Sequence, residues 1–256
     1  MQRILAITLL CLSTALHAAP TIDLAGAWRF AMDSADEGLK QQWFNQELKD
    51  RIELPGILQA QGYGDDIDAN TPWVLSLYDR HWNQRADYQA HTVSGNVKVP
   101  FLSQPPKHYL GAAWYQRDID VPKEWRNQRV LLHLERPRWG STVWIDDRQV
   151  GSNLSLVAAH EYDLGLLAPG WHRVSVRVDN RMLMAYRPDA HAVSDSLGMS
   201  WNGIVGKLEL RATSTRSKKP VSKSWKYLWT TSWAVLPPRS SFTRPQAKSW
   251  LSATPS

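Results

Sequence analysis

Hydrophobic and polar residues alternate with a period of two along residues 114–211. Val130, Leu132 and Leu134 face one way with other residues between them, and three valines repeat the alternation at residues 174–178. This pattern is typical of antiparallel strands with one buried face. Further strands are predicted at residues 27–31, 115–121, 141–145 and 207–211.

Turn-forming residues separate the apolar runs. They fall at residues 121–122, 146–147, 169–170 and 202–203. Short strands punctuated by such turns favour an all-β sandwich. Between residues 58 and 106 the periodicity gives way to Gly, Asp, Asn, Pro and aromatic residues, which predicts a long loop insertion.

One helical pattern interrupts the β-type sequence, at residues 36–48. Leu39, Trp43, Phe44 and Leu48 share a helical face there, and either Asp33 or Ser34 is placed to cap the first turn. The pattern predicts one short helix beside the sandwich.

The first residues have the character of a secretory signal peptide. Arg3 is followed by an apolar run at residues 4–16 and then by small residues, so we expect residues 1–18 to be removed on export. Cys11, the only cysteine, lies in this run, so the mature chain is expected to lack disulfides and thiol chemistry. The predicted location is secreted or periplasmic, and no later apolar run is long enough to predict a membrane span.

Charge is divided unevenly along the chain. All 24 Asp and Glu residues lie at or before Glu209, whereas nine of the 30 Lys and Arg residues lie after it. The formal net charge of +6 therefore belongs to the C-terminal segment, and the preceding part is mildly acidic. A nucleic-acid partner, which a uniformly basic protein would suggest, is not predicted.

The composition changes after residue 211. Residues 212–256 contain 16 Ser or Thr and four Trp, and they show no periodicity. We expect residues 19–211 to form one domain and residues 212–256 to be an irregular or disordered tail.

Several sequence blocks form an ordered series. They are Asp-Leu-Ala-Gly-Ala-Trp-Arg-Phe at residues 23–30, Gly-Ala-Ala-Trp-Tyr-Gln-Arg at 111–117, Val-Trp-Ile-Asp at 143–146, Tyr-Asp-Leu at 162–164 and Trp-Asn-Gly-Ile-Val-Gly at 201–206. The series resembles the N-terminal sugar-binding domain of family 2 glycoside hydrolases, the β-galactosidase and β-glucuronidase group. The resemblance implies a jelly-roll sandwich, followed in complete family members by an immunoglobulin-like domain and a catalytic (β/α)₈ barrel.

Catalytic chemistry is not predicted for this chain. A retaining glycosidase needs two carboxylates about 5 to 5.5 Å apart, and the resemblance implies that both are barrel glutamates, one of them following an asparagine. No Asn-Glu dipeptide occurs in the chain. There is also no nucleophile elbow, zinc-ligand spacing or phosphate loop, so no catalytic residue, cofactor or metal is predicted.

Candidate carbohydrate contacts come from the loop before the last strand. The resemblance implies that this loop approaches the terminal sugar, with an acid that aligns with Leu197 here, two residues from Asp195. The candidate sugar contacts are therefore Asp195, Trp201 and Asn202. Two alternatives remain open: Trp201 packs under the loop, or residues 202–203 form a turn.

The other tryptophans divide by position. Tryptophans in predicted loops are better placed for ligand contact; they are Trp73, Trp82 and Trp139. Of these three, Trp139 is included among the candidate sugar contacts. Tryptophans on or beside strands are expected to supply core area; they are Trp28, Trp114, Trp144 and Trp171.

Two functional hypotheses remain open. The first is a non-catalytic part of a secreted family 2 β-glycosidase that binds a β-linked glycan or glycoside, with a tail translated out of frame. The second is a stand-alone carbohydrate-binding module whose basic, aromatic tail adheres to an anionic surface. Neither hypothesis specifies the preferred sugar or the oligomeric state.

Overall fold

A computed structural model of the chain describes residues 19–74, 81–184, 193–198 and 200–213. Within these residues the chain forms eleven β-strands and no α-helix. The strands are β1 (Thr21–Asp23), β2 (Gly26–Asp33), β3 (Asp50–Leu54), β4 (Gly56–Ile57), β5 (Ala112–Val121), β6 (Arg129–Arg138), β7 (Gly140–Ile145), β8 (Arg148–Leu154), β9 (His160–Leu166), β10 (Gly170–Asp179) and β11 (Gly203–Thr213). Short 3-10 segments occur at Trp43–Asn45, Gln59–Gln61, Trp82–Gln84, Ala86–His91 and Lys123–Trp125.

The described strands form two antiparallel sheets. One has the order β1-β11-β6-β9, with β4 also paired to β11, and the other has the order β3-β2-β5-β10-β7-β8. From β5 onward the chain passes repeatedly from one sheet to the other, as in a jelly-roll sandwich. The predicted all-β sandwich is confirmed.

The main hydrophobic core lies between the two sheets. Leu132 and Leu134 of β6 meet Val174, Val176 and Val178 of β10, and all five side chains are fully buried. The period-two alternation therefore identified the inward faces of both strands. The strands predicted at residues 27–31, 115–121, 141–145 and 207–211 all lie within observed strands.

A second, smaller cluster lies on the outer face of the six-stranded sheet. Trp114 of β5 and Trp144 of β7 leave the sheet on this face and pack with Leu48. Phe44 stacks on Trp144, with the ring centroids 5.3 Å apart and the planes nearly parallel. Residues 34–49 thus form a cover over part of the outer face.

The predicted helix at residues 36–48 is wrong, because this cover is a series of turns. The carboxylate of Asp33 accepts hydrogen bonds from the backbone N–H groups of the two residues at 37–38, as a helix cap would. However, Gln42 takes the left-handed conformation with φ 53°, which interrupts an α-helix. The Gln116 side chain then binds Leu48 N and two backbone carbonyls of the cover, fixing the turns by tertiary contacts.

Three further expectations are corrected. Trp171 was expected in the core but is 75% exposed, because it shares the outward face of β10 with Arg173 and Arg177. The last strand ends at Thr213, two residues beyond the predicted domain boundary, and Ala212 is buried in the core. Residues 202–203 do not form a turn, since they lead directly into β11.

The long insertion at residues 58–106 contains no strand in its described part, as expected. The predicted signal peptide and nearly all of the predicted tail lie outside the described residues. Within the described part of the chain, no helix is both long and apolar enough to cross a membrane.

Candidate functional site

Three of the four candidate sugar contacts lie close to the start of β11, and Trp139 lies between β6 and β7. The residues preceding β11 carry Asp195, Trp201 and Asn202. Trp139 donates its backbone N–H to the Asp179 carbonyl at 3.0 Å, where β10 ends. We call this end of the sandwich the loop end; it comprises residues 73–74, 108, 138–139 and 193–202.

Asn202 is a structural part of the sandwich core. Its side chain is fully buried, and its Oδ1 accepts a hydrogen bond from the Tyr115 hydroxyl at 2.7 Å. Its Nδ2 donates to the carbonyls of Gly111 at 3.0 Å and Val178 at 3.1 Å. These bonds connect β11 to β5 and β10, so a structural role accounts for this asparagine without a ligand.

Asp195 holds two loop segments together. Its carboxylate accepts hydrogen bonds from Ser200 N at 2.7 Å and Val74 N at 2.8 Å, and its own N–H donates to the Val74 carbonyl. Only 3% of Asp195 is exposed, whereas Leu197 is 38% exposed. The position aligned with the family's acid therefore lies at the surface, and Asp195 lies beneath it.

The charge of Asp195 affects the pKa values of two basic side chains. Burial lowers the pKa of His108, and the nearby charges of Asp195 and Asp65 oppose that shift. Burial also lowers the pKa of Arg138, again opposed by Asp195. The Arg138 guanidinium lies over the ring of the half-buried Trp201, 5.7 Å from its centroid, so the two form a cation–π contact.

At the loop end, Nε1 of Trp73 and Nε2 of His108 are buried without a hydrogen-bond partner among the described residues. Their rings meet edge to face at 4.8 Å. A buried polar atom left unpaired costs about 1–3 kcal/mol, so an incoming hydroxyl could satisfy these groups favourably. Sequence reasoning did not select His108 as a ligand contact, since it does not stand in a recognisable motif.

The tryptophan candidates in loops are mostly enclosed. Trp139 is 2% exposed and Trp82 is 3% exposed, so neither presents an open ring face, and their role as ligand contacts stays a prediction. Trp139 lies between β6 and β7 and is held in the sandwich as those strands join. Trp28, Trp114 and Trp144 are buried as expected.

Several of the described carboxylates form ion pairs with arginine side chains. Hydrogen bonds from Arg29, together with those from Arg173, hold the pKa of Asp118 below its usual range. Burial alone would raise the pKa of Asp179, but hydrogen bonds from Arg181 and the charge of Arg177 lower it. Every described Asp or Glu with a resolved shift is shifted downward, opposite to the raised pKa of a glycosidase acid.

No cluster for a metal ion emerges among the described side chains. No group of three or more His, Cys, Asp or Glu residues in this part of the chain is arranged to hold one. The loop end therefore offers an enclosed carboxylate, the guanidinium of Arg138, the buried imidazole of His108 and aromatic rings as its chemistry.

The fold defines the chain as an all-β sandwich, and comparison with known proteins identifies its relatives. It is 24% identical over 160 residues to a β-glucuronidase of Paenibacillus borealis, covering 62% of this chain and 21% of that protein. It is 22% identical over 172 residues to a β-galactosidase of Clostridium acetobutylicum, covering 65% of this chain and 17% of that protein. No family model matches the chain.

A similar solved structure is a β-glucuronidase from an uncultured Clostridium sp., with a TM-score of 0.49 and 20% identity, covering 77% of this chain and 30% of that one. The homologues of the chain are thus β-glucuronidases and β-galactosidases of glycoside hydrolase family 2, which confirms the resemblance. The chain spans about a fifth of the length of these curated relatives.

Proposed function

We propose that this chain is a non-catalytic, carbohydrate-binding and substrate-positioning part of an exported β-glycosidase. The observation that carries the proposal is its relation to β-glucuronidases and β-galactosidases over most of its own length but only about a fifth of theirs. Export rests on the signal-like residues 1–18. The substrate class that the relatives' names suggest is a β-linked glycoside, with glucuronides foremost.

The charge of the loop end supports a uronate as its ligand. Arg138 lies near Asp195, and its guanidinium can pair with a uronate carboxylate, whereas the lowered pKa of His108 leaves its ring uncharged at neutral pH. The unpaired Nε1 of Trp73 and Nε2 of His108 supply hydrogen-bonding capacity for hydroxyls. The half-buried Trp201 beside Arg138 offers an aromatic surface.

The pKa pattern supports binding without turnover. Glycoside hydrolysis needs one carboxylic acid that stays protonated near neutral pH. The shifted carboxyl groups of the described residues have lowered pKa values, because arginines or backbone N–H groups hydrogen-bond them. Such carboxylates are ionised at neutral pH and cannot donate the proton that the leaving group requires.

The test combines calorimetry with an activity assay on the purified full chain. We expect D-glucuronic acid or methyl β-D-glucuronide to bind with Kd in the millimolar range, which corresponds to about −4 kcal/mol. We expect no release of nitrophenol from nitrophenyl β-glucuronide or β-galactoside. Trp201→Ala should weaken uronate binding several-fold, whereas Leu102→Ala, which removes a 78% exposed side chain, should not.

Two results would contradict this function separately. Nitrophenol release that scales with protein concentration would show that the chain is catalytic. An absence of binding heat for every glucuronide and galactoside tested would remove the carbohydrate-positioning role.

A further inference from the structure

A cleft lies on the outer face of the six-stranded sheet, at the end opposite the loop end. It has a volume of about 450 Å³, within the range of small-ligand sites. Its walls come from the cover segment at residues 44–45, the β7–β8 turn at residues 146–147 and the first residues of β10. We call it the Trp171 cleft.

The Trp171 cleft is remote from the loop end because the two lie at opposite ends of β10. That strand begins at Gly170 beside the cleft and ends at Asp179, whose carbonyl binds Trp139 N at the loop end. A strand of this length extends about 30 Å. A ligand in the cleft is therefore distinct from one at the loop end.

Trp171 presents an aromatic surface to solvent at the mouth of the cleft. Its side chain is 75% exposed, although tryptophan is among the residues that gain most from burial. It stands on the outward face of β10, opposite Asp120 of β5, and beyond the reach of the small cluster formed by Leu48, Trp114 and Trp144. An exposed large aromatic ring beside a cavity of ligand size indicates a contact surface.

The polar groups around Trp171 are held in fixed positions. Asp146 accepts hydrogen bonds from Arg173 N and from His172 Nδ1, both at 2.8 Å. Asp118 receives hydrogen bonds from Arg29 and from Arg173 Nε. Each carboxylate oxygen can accept more than one hydrogen bond, so these acids keep acceptor capacity in a preorganised arrangement.

The remaining wall completes an amphipathic site. Phe44 is fixed by stacking on Trp144 and lines the cleft with its neighbour Asn45. Asp147 lies in the turn opposite and is exposed. The cleft thus combines apolar ring faces with side chains that accept or donate hydrogen bonds to hydroxyls.

We propose that the Trp171 cleft binds a neutral pyranose unit of a glycan, with its C–H face on Trp171 and its hydroxyls donating to the aspartates. The cleft holds Asp118, Asp146 and Asp147 against Arg173 and His172, and Arg29 pairs with Asp118, so the cleft has no surplus of positive charge for a uronate and suits an uncharged sugar. A pyranose ring has a flat apolar C–H face bordered by hydroxyls, which matches an exposed indole bordered by carboxylates. The site stands independently of the loop end and of uronate binding there.

Affinity electrophoresis of the full chain tests this proposal. The probes are the neutral polysaccharides mixed-linkage β-glucan, xylan and galactan, with polygalacturonate as the acidic probe. We expect retardation by at least one neutral polysaccharide and none by polygalacturonate. Trp171→Ala should reduce that retardation at least tenfold, and Trp171→Phe should retain part of it.

Matched controls separate the cleft from the rest of the surface. Leu166→Ala removes another exposed apolar side chain, 63% exposed and in the other sheet, and should leave retardation unchanged. Leu102→Ala, which removes a 78% exposed side chain outside the cleft, should also leave it unchanged. Asp147→Asn keeps the shape of the turn and should weaken binding less than Trp171→Ala does.

Three outcomes would overturn the proposal. The first is an absence of retardation by all three neutral polysaccharides. The second is retardation that survives Trp171→Ala. The third is stronger retardation by polylysine that Asp147→Asn abolishes, since this would assign the cleft to a cation. Loss of uronate binding at the loop end would leave the proposal intact, because that result concerns Trp201 and its neighbours.

Discussion

The two ends of the sandwich use polar and aromatic side chains in opposite ways. At the loop end, Asn202 and Asp195 are enclosed and hydrogen-bonded to the chain itself. At the Trp171 cleft, an exposed indole stands beside Asp146 and Asp147 on an open surface. Residue type alone therefore does not identify a ligand contact; burial and the number of internal hydrogen bonds decide whether a side chain is available.

The largest expected difference between the two ends concerns stability. Asn202→Ala should lower the free energy of unfolding by about 4 kcal/mol, because the hydroxyl of Tyr115 and the carbonyls of Gly111 and Val178 lose their partner inside the core. Urea denaturation followed by circular dichroism measures this change. Asn96→Ala is the control, since Asn96 makes an exposed bond to a loop carbonyl and should cost less than about 1 kcal/mol.

A loss below about 1 kcal/mol for Asn202→Ala would contradict the structural role of the asparagine. The loop end would then have to be regarded as adaptable, and Asn202 would return as a candidate sugar contact. The contrast with the Trp171 cleft would weaken accordingly.

Two histidines, His160 at the start of β9 and His172 at the Trp171 cleft, are held differently. His160 is fully buried, and burial lowers its pKa to about 4. Its Nε2 lies 3.2 Å from the Ser155 carbonyl and its Nδ1 lies 2.6 Å from Ser141 Oγ, which suits a neutral ring. At the cleft, burial opposes the shift, but the hydrogen bond with Asp146 raises the pKa of His172.

These shifts give stability changes of opposite sign. Because the folded-state pKa of His160 is depressed, its neutral form stabilises the fold above about pH 6.5, and that contribution is lost as pH falls toward about 4. The expected loss is about 3 kcal/mol. His172 acts the other way, since its contribution is present below about pH 6.5 and is lost as pH rises through its raised pKa.

Unfolding free energies measured from pH 7 to pH 4 check this prediction. His160→Gln should remove most of the stability loss in that window, whereas His172→Gln should not remove it. Equal pH profiles for wild type and His160→Gln would show that His160 does not titrate with a depressed pKa.

The alternating strands could be predicted because each of them has one face in the core. The edge strands β3 and β8 were missed, since Asp50–Leu54 is short, with only two apolar residues, and Arg148–Leu154 has no fully buried residue. The cover at residues 34–49 was misassigned because its apolar spacing fits a helix. Its actual turns depend on Gln116 from a distant strand, and local sequence carries no sign of that contact.

At the candidate sites, too, the sequence predicted some features and missed others. The resemblance directed attention to Asp195 and Trp201, but not to His108, which reaches Asp195 only through folding. The exposure of Trp171 could have been predicted, because it is an odd number of residues from the buried Val174 of the same strand. Whether its cleft has room for a ligand depends on the cover and on the β7–β8 turn, which sequence periodicity does not place.

The smallest expected effect on stability distinguishes a binding residue from a structural one. Trp171→Ala should change the free energy of unfolding by less than about 0.5 kcal/mol, because the side chain is 75% exposed, even though the same variant should lose neutral-glycan binding. Trp28→Ala, by contrast, removes a buried indole that donates to the Leu24 carbonyl and should cost about 3–5 kcal/mol. Urea denaturation of both variants provides the measurement. A cost above about 1.5 kcal/mol for Trp171→Ala would mean that Trp171 supports the fold. The side chains at both ends would then have structural roles, although those at the Trp171 cleft are exposed.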